Sequence, residues 1–545
     1  MIGQADYYGD RAKEIQQRER TIKAARGVIY DRNGNVLAGN KTVCTISIIH
    51  NQIEEPERVV EVLSNKLGID RNIIQKKVDK VSSIERIKSN VEKSIADEIR
   101  SENLDGVMID EDYTRTYPYN QLASKVIGFT GGDNQGIIGL EVEYEKYLKG
   151  RDGKILTYTD IDGIEVDGKA KERIEPSKGY NLVTTLDANI QSYAYQLAME
   201  VMEAKNAKNV KLIVINPMNG EIYACVNAPE FDLNNPFELT EVFLEKNLYE
   251  EDTPIMTKLN EMWRNNCISD TYEPGSVFKI ITMTAALEEG KVSLTERFSC
   301  PGYRIVEDRR IRCHKVTGHG SETFVEGVMN SCNPVFMDIG ARVGANAMYK
   351  YYEKLGLFDK TGIDVPGEAG SIMHKLENIK AVELATMSFG QSFQITPFQM
   401  LRAAAATVNG GKLITPHFGK YITDEQGNVV TDLSYEEKEG VINKETSDTV
   451  KDILEKVVSE GTGNKAAIEG WNIGGKTATS QKLPRGNGKY ISSFLGFADA
   501  KYPTVMAIVL IDEPEGIYYG GTVAAPVIKK LYENILPYMN IICYE

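Results

Sequence analysis

The stretch EPGSVFK, residues 273–279, places a serine where an apolar helix begins, with a lysine three residues later. Residues three apart on a helix share a face, so the side chains of Ser276 and Lys279 can meet. A serine hydroxyl is a weak nucleophile unless a base lies within hydrogen-bond reach. Lys279 can be that base if its surroundings lower its pKa. Because a Ser-x-x-Lys pattern is short and arises by chance, its meaning depends on the rest of the chain.

The bulk composition favours a large globular protein and disfavours nucleic acid as a partner. The chain has 545 residues and a net charge of -15, and 42% of it is hydrophobic. This length predicts two or more domains, and an acidic surface is unsuited to phosphate binding. No run approaches the roughly 18 apolar residues that cross a bilayer. Residues 10–25 are polar and unlike a signal peptide, so we expect either a soluble protein or one with a preceding membrane anchor outside this sequence.

The order of predicted elements indicates an α+β protein with two domains. A strand, an Asn-Gly turn and a second strand are predicted over residues 26–38, and residues 54–102 have the charged, helical spacing of a small helical subdomain. Further on, a hairpin over residues 210–226 precedes the Ser276 helix, and three strand-like runs lie between residues 471 and 512. Two early and three late strands can close as one five-stranded antiparallel sheet with helices on both faces. We predict domains at residues 1–168 and 169–545.

Two further motifs follow the Ser-x-x-Lys pattern in an informative order. They are Ser331-Cys332-Asn333 and Lys476-Thr477-Ala478-Thr479. Each alone is weak, since a single Ser-x-Asn is usually a turn. Together, Ser-x-x-Lys, Ser-x-Asn and a Lys-Thr-Gly-like strand are typical of serine acyltransferases that recognise penicillin.

Each residue type in these motifs suits one chemical task. Ser276 attacks a carbonyl carbon, and Lys279, held between Ser331 and Asn333, accepts the proton. Ser331 can relay that proton to the leaving amine, and Lys476 supplies positive charge for a substrate carboxylate.

The late strand completes this candidate site. Thr477, Ala478 and Thr479 form the rim of the cleft, where substrate binds. The backbone N–H groups of Ser276 and Thr479 are the candidate oxyanion hole, in which one donor is typically worth about 10²–10³ in rate.

The chain resembles the class B penicillin-binding proteins, which are peptidoglycan D,D-transpeptidases, over nearly its whole length. No glycosyltransferase domain precedes the motifs, which favours class B over class A. The resemblance implies a penicillin-binding transpeptidase fold on an elongated N-terminal pedestal domain, and inhibition by β-lactams through an acyl-enzyme. Residues 117–120 and 129–131 are most similar to the sporulation-specific and septal branch. The other matching stretches are Arg26–Gly34, Arg115–Pro118, Gly139–Glu141, Tyr272–Ser276, Ser388–Gln391 and Thr396-Pro397.

The third motif departs from the family pattern at Ala478, where the family has glycine. Glycine on this edge strand lets a substrate lie close to the backbone. The methyl group of Ala478 therefore predicts slower acylation by cephalosporins with large side chains, with harmless Gly/Ala variation as the alternative.

Four residues near the second motif form a candidate zinc site. Cys300, Cys313, His319 and Cys332 follow a C-x12-C-x5-H-x12-C pattern. Three thiolates and one imidazole make a closed tetrahedral zinc set, and a metal there would fix the second motif because Cys332 is its middle residue. His314 is an alternative ligand. A Cys300–Cys313 disulfide and buried free cysteines are competing interpretations.

The resemblance also implies partners and a location. The expected substrate is a peptidoglycan stem peptide or its lipid-linked precursor, and the N-terminal domain is expected to dock on a polytopic glycosyltransferase. The expected location is the extracytoplasmic face of the cytoplasmic membrane. Alternatives are a β-lactamase or β-lactam sensor on the same fold, and a mainly scaffolding protein of the division or spore-wall machinery.

Overall fold

The computed structural model describes residues 17–82, 84–158, 172–499 and 502–541. The predicted domain boundary at residues 168 and 169 lies outside these ranges. The N-terminal strands are β1 (Gln17–Ile22), β2 (Ile29–Tyr30), β3 (Val36–Ile48), β4 (Glu85–Glu92), β5 (Val107–Thr116), β6 (Gly153–Tyr158) and β7 (Glu172–Ile174). The N-terminal helices are α1 (Pro56–Leu67), α2 (Arg71–Val78), α3 (Lys93–Ser101), α4 (Ser124–Ile127), α5 (Gly139–Glu143) and α6 (Glu145–Leu148).

The early hairpin has the predicted form, with β2 and β3 paired antiparallel on either side of an Asn-Gly turn. The carboxylate of Asp31 closes the turn by accepting hydrogen bonds from the backbone N–H groups of Asn33 and Asn35. Residues 54–102 contain helices α1 to α3 and also strand β4. In β4, Ile87 and Val91 are buried between exposed polar neighbours, so this segment packs as a strand against β3.

The rest of the described chain begins at Asn181. Its strands are β8 (Asn181–Thr184), β9 (Asn209–Ile215), β10 (Ile222–Ala228), β11 (Arg297–Cys300), β12 (Tyr303–Val306), β13 (Arg309–Arg312), β14 (Gly320–Thr323), β15 (Gly419–Thr423), β16 (Val429–Asp432), β17 (Ile473–Gln481), β18 (Tyr490–Ala498) and β19 (Val505–Asp512). Its helices are α7 (Ala188–Ala204), α8 (Glu241–Lys246), α9 (Ile255–Trp263), α10 (Asn266–Ser269), α11 (Lys279–Glu288), α12 (Phe324–Met329), α13 (Asn333–Val343), α14 (Ala345–Lys354), α15 (Ala381–Met387), α16 (Pro397–Val408), α17 (Lys444–Ser459), α18 (Gly520–Val523) and α19 (Ala525–Tyr538).

The predicted five-stranded antiparallel sheet is confirmed, in the order β10-β9-β19-β18-β17. Helices cover both of its faces, as the side chains of β19 show. Val505, Ala507, Val509 and Ile511 join a core with α7 and α19, whereas Met506, Ile508 and Leu510 join the core that contains α11 and α16. Strand β17, which carries the third motif, is an edge strand of this sheet.

A second, seven-stranded sheet contains strands from both parts of the chain. Its order is β16-β15-β8-β2-β3-β4, and β5 also pairs with β3. Strands β2 and β8 run parallel, with Ile29 opposite Leu182. The N-terminal hairpin is therefore held directly against the second part of the chain.

Three of the N-terminal motifs meet at the buried carboxylate of Glu141. Arg26 Nε lies 2.6 Å from one of its oxygens, and Arg115 Nε lies 2.7 Å from the other. The Tyr117 hydroxyl donates to the same carboxylate at 3.3 Å. Two guanidinium groups thus compensate one carboxylate that has no access to water. Among the described residues, no helix has the length and apolar character needed to span a bilayer.

Candidate active site

Ser276 lies on a 3₁₀ turn, Gly275–Phe278, that leads directly into α11. Gly275 has a φ of +56° and donates its N–H to the carbonyl of Gly390 at 2.9 Å. A Cβ on Gly390 would lie 2.0 Å from the carbonyl oxygen of Gly275, so only glycine allows this approach. The backbone of Gly390 therefore packs directly against the turn that carries Ser276 and holds it in position.

Lys279 is completely buried and points at the second motif. Its Nζ donates to the carbonyl oxygen of Ser331 at 2.7 Å, to Ser331 Oγ at 3.2 Å and to Asn333 Oδ1 at 2.8 Å. The Nζ also lies 5.1 Å from the centre of the Phe336 ring. The structure thus brings Lys279, Ser331 and Asn333 together as the sequence predicts. Within the described chain the half-buried Ser276 hydroxyl has no hydrogen-bond partner.

Burial changes the proton affinity of this lysine. Loss of hydration lowers the pKa of Lys279 from 10.5 to about 8, and the nearby Cys332, Cys313 and Glu322 act in the opposite direction. A lysine with such a pKa has an appreciable neutral fraction near neutral pH, which a general base requires.

The second motif is held in a constrained backbone conformation. Ser331 has a φ of +53°, a region that residues other than glycine rarely adopt. The backbone N–H of Cys332 donates to the carbonyl of Gly327 at 2.9 Å. The side-chain amide of Asn333 donates to the carbonyl of Arg312 at 3.2 Å, in the hairpin formed by β12 and β13.

The third motif forms the opposite wall of the cleft. Lys476 is completely buried, and its Nζ donates to the carbonyl of Thr477 at 3.3 Å. Burial lowers the pKa of Lys476, and the positive charge of Lys279 lowers it further. Thr479 Oγ1 accepts the backbone N–H of Gly520 at 2.9 Å. The two lysines are therefore close enough to interact across the cleft.

Ala478 packs towards the serine turn. Its side chain is 3% exposed and belongs to the apolar core. A Cβ placed on Gly275 would lie 3.5 Å from the Ala478 methyl group. The Ala478 methyl group therefore faces the Ser276 turn, and it can change substrate binding only by changing the position of that turn.

The predicted metal-ligand set converges beside the second motif. One ligand atom each from Cys300, Cys313, His319 and Cys332 lies within 4.8 Å of all the others. The three cysteines are free thiols and nearly inaccessible to water, so the alternative Cys300–Cys313 disulfide is not formed in this structure. His314 Nδ1 lies 3.8 Å from Cys313 Sγ, outside the four-residue group.

This donor set fits a single zinc ion. Thiolate and imidazole ligands at about 2.0–2.3 Å from a metal would lie within the observed separation of one another. The hydrogen bond between Cys332 and Cys313 lowers the pKa of Cys313 and raises the pKa of Cys332, so this pair favours one thiolate, on Cys313. Glu322 Oε1 is buried without a hydrogen-bond partner among the described residues and lies 3.9 Å from His319 Nδ1. His319 Nδ1 also lies 3.7 Å from Cys313 Sγ, so Glu322 lies at the edge of the thiol and imidazole cluster itself.

Comparison with known families identifies the protein class. The penicillin-binding protein transpeptidase domain matches residues 211–533, and the penicillin-binding protein dimerisation domain matches residues 21–184. The chain belongs to the class B penicillin-binding proteins.

Relatives of this penicillin-binding protein align over almost its entire length. Stage V sporulation protein D of Bacillus subtilis is 38% identical over 540 residues, which cover 97% of this chain and 81% of that protein. A probable peptidoglycan D,D-transpeptidase PenA of Neisseria meningitidis is 30% identical over 538 residues, or 96% of this chain and 86% of that protein. The solved structure of penicillin binding protein 2X from Streptococcus thermophilus shares the fold, with a TM-score of 0.79 and 22% identity over 96% of this chain and 80% of that one.

Three contributors to the site of this penicillin-binding protein were not predicted from its sequence. Gly390 was recognised only as part of a family motif, whereas its close contact with Gly275 depends on the fold. Phe336 lies one helical turn after Asn333, and that spacing could have indicated its place beside Lys279. Glu322 could have been found as an acidic residue three positions after a candidate histidine ligand.

Proposed function

We propose that this peptidoglycan D,D-transpeptidase works through an acyl-enzyme on Ser276. The observation that supports it best is the buried Lys279, which contacts both polar residues of the second motif one helical turn from Ser276. A neutral lysine in that position can accept the Ser276 proton as the hydroxyl oxygen attacks a carbonyl.

In the first half-reaction, Ser276 Oγ bonds to the carbonyl carbon of the penultimate D-Ala of a stem peptide. Its proton passes to Lys279, and the backbone N–H groups of Ser276 and Thr479 stabilise the oxyanion. The carbon–nitrogen bond then breaks, and Ser331 passes the proton to the departing D-Ala amine. Burial lowers the pKa of Lys476, and the approach of the terminal carboxylate would raise it again, so that Lys476 is protonated when it pairs with that carboxylate. Thr477 supplies a hydroxyl to the same group.

In the second half-reaction, the amine of a neighbouring stem peptide attacks the ester. A new carbon–nitrogen bond forms, the ester bond to Ser276 breaks, and the amine proton returns through Ser331 and Lys279 to Ser276. A β-lactam would acylate the same hydroxyl by opening its ring, and the match of residues 211–533 to the penicillin-binding protein transpeptidase domain supports this.

Labelling with a fluorescent penicillin tests the nucleophile. We expect covalent label on the native protein, none on Ser276→Ala, and full label on Ser293→Ala, an exposed serine beyond α11. Label that persists on folded Ser276→Ala would contradict the proposal. Wall synthesis that persists with Ser276→Ala would favour a scaffolding role instead.

We also propose that Cys300, Cys313, His319 and Cys332 hold a structural zinc ion. When bound, zinc would tie the second motif to the strands that carry Cys300 and precede Cys313. Metal analysis of purified protein should find about one zinc per chain, and much less in Cys313→Ser. Cys267→Ser is the matched control, because Cys267 is equally buried but lies outside the cluster. Absence of zinc from the native protein would end this proposal.

The location and the N-terminal partner are proposed from family membership. We place the catalytic domain on the extracytoplasmic face of the membrane and the N-terminal domain against a polytopic glycosyltransferase. Site-directed crosslinking from exposed positions of α1 and α2 in cells should capture that enzyme. Crosslinks formed only from the transpeptidase domain would contradict this arrangement.

A further inference from the structure

The hairpin of β12 and β13 has two different faces. Tyr303 pairs with Arg312, and Ile305 pairs with Arg310, so these four side chains share one face. Val306 and Ile311 lie on the other face and pack against the core, where Arg304 pairs with Asp338 of α13. The face with Tyr303, Ile305, Arg310 and Arg312, here called the outer face, is therefore directed away from α13.

The outer face carries two arginine side chains. Arg310 and Arg312 are exposed and form no ion pair among the residues that the structure describes. The Arg310 guanidinium lies 3.7 Å from the centre of the Tyr303 ring, which holds its planar group in place. Both guanidinium groups are therefore available to an anionic partner.

The hairpin is attached to the catalytic wall of the cleft. The carbonyl of Arg312 accepts the side-chain amide of Asn333, and Asn333 also accepts a hydrogen bond from Lys279. The next residue, Cys313, belongs to the thiol and imidazole cluster that includes Cys332. The outer face therefore continues outward from the wall that holds Ser331, opposite the edge strand β17.

Microscopic reversibility indicates which of the two peptide substrates lies next to the outer face. Ser331 delivers a proton to the amine that leaves, so the incoming amine must give up its proton at the same place. The donor peptide can extend along the free edge of β17 by strand addition. The acceptor peptide then enters beside Ser331 and Asn333, next to the end of the hairpin at Arg312.

We propose that the outer face binds the acyl acceptor, and that the acceptor is an anionic peptide whose carboxylates are held by Arg310 and Arg312. Guanidinium groups match carboxylates in a planar, two-pronged geometry, and the fixed position of Arg310 reduces the entropy cost of that contact. This inference rests on the proposed acyl-enzyme, for which the outer face supplies specificity in the second half-reaction.

The test measures how the acyl-enzyme divides between water and an amine. The donor is a thioester of an acyl-D-alanine peptide, and the acceptors are a synthetic amine-bearing peptide with two carboxylates and the same peptide with two carboxamides. For the carboxylate acceptor, Arg310→Gln/Arg312→Gln should lower the ratio of aminolysis to hydrolysis about threefold to tenfold, as expected for exposed charge pairs. The ratio for the carboxamide acceptor should not change.

Arg309→Gln is the matched control, because Arg309 lies on the same hairpin but on the opposite face. It should leave both ratios at the native value. An equal loss for both acceptors, an equal loss in Arg309→Gln, or no loss in the double variant would each overturn the assignment. Fluorescent penicillin labelling keeps this outcome separate from failure of the proposed function, since a protein without an acyl-enzyme would take no label at all.

Discussion

The two walls of the active-site cleft are built in different ways. Strand β17 is fixed along its whole length by an antiparallel ladder to β18, from Ile473 opposite Ala498 to Gln481 opposite Tyr490. The wall with Ser331 contains no strand longer than four residues between Arg297 and Thr323. It is positioned by single contacts, such as the hydrogen bond from Asn333 to Arg312 and the cysteine and histidine cluster.

This difference assigns different tasks to the two walls. A ladder keeps β17 straight and leaves one edge free for a substrate strand. Because the other wall is held by separate side-chain contacts and not by a ladder, Ser331 can adopt a positive φ, and its carbonyl can accept a hydrogen bond from the buried Lys279. The sheet wall is therefore suited to holding the substrate, and the irregular wall is suited to moving protons.

The largest expected effect comes from removing the lysine that the irregular wall holds. Lys279→Met keeps the volume of the side chain but removes the base, and acylation by penicillin should slow by about 10²–10⁴. Lys125→Met is the matched control. Lys125 is also a buried lysine, but it donates to the carbonyls of Asn227 and Pro229 and contacts none of the three motifs. Stopped-flow acylation of both folded variants measures the difference. A loss smaller than tenfold in Lys279→Met would show that the irregular wall does not supply the base.

The pH dependence of acylation should follow the same lysine. The pKa of Lys279 is lowered to about 8 by burial, and the neutral amine is the reactive form. The acylation rate should therefore level off above about pH 8 and fall about tenfold for each unit below it. The unfolded chain binds more protons than the folded chain between pH 8 and the ordinary lysine pKa of 10.5, so this residue makes the protein more stable as pH rises through that window. A rate that is flat from pH 6 to 9 would contradict this assignment.

The sequence predicted the sheet wall more completely than the irregular wall. The strand-like runs around Thr477, Phe494 and Ile508 were recognised as strands, and the continuous apolar run around Ile508 is typical of a strand buried on both faces. The short strands β11 to β14 were not predicted, because four-residue strands with many arginines lack a periodic signal. The motif residues of that wall were still predicted, because residue type and spacing indicate their chemistry even where the secondary structure cannot be predicted.

Two glycine variants test how much the contact between Gly390 and Gly275 contributes to the position of Ser276. In Gly390→Ala the new Cβ would meet the Gly275 carbonyl, whose backbone cannot move without displacing Ser276. Acylation should fall about tenfold or more, and the melting temperature should drop. Gly410→Ala is the control: its φ of +88° is close to the +85° of Gly390, but no atom lies within 4 Å of the new Cβ. That variant should show only the conformational cost of a positive φ, about 1–2 kcal/mol, with normal acylation. Equal acylation rates in the two variants would show that the contact between Gly390 and Gly275 does not affect catalysis.

The smallest expected effect belongs to the sheet wall itself. Because the Ala478 methyl group is buried against Gly275, Ala478→Gly should relax the serine turn without opening a large space in the cleft. We expect acylation by cephalosporins with large side chains to become about twofold to threefold faster relative to benzylpenicillin, and stability to fall by about 0.5–1 kcal/mol because glycine weakens a strand. Parallel acylation rates for the two drug classes and a denaturant titration measure both quantities. An unchanged ratio between the drug classes would mean that the methyl group only stabilises the strand, and that the sheet wall influences substrate choice through its free edge alone.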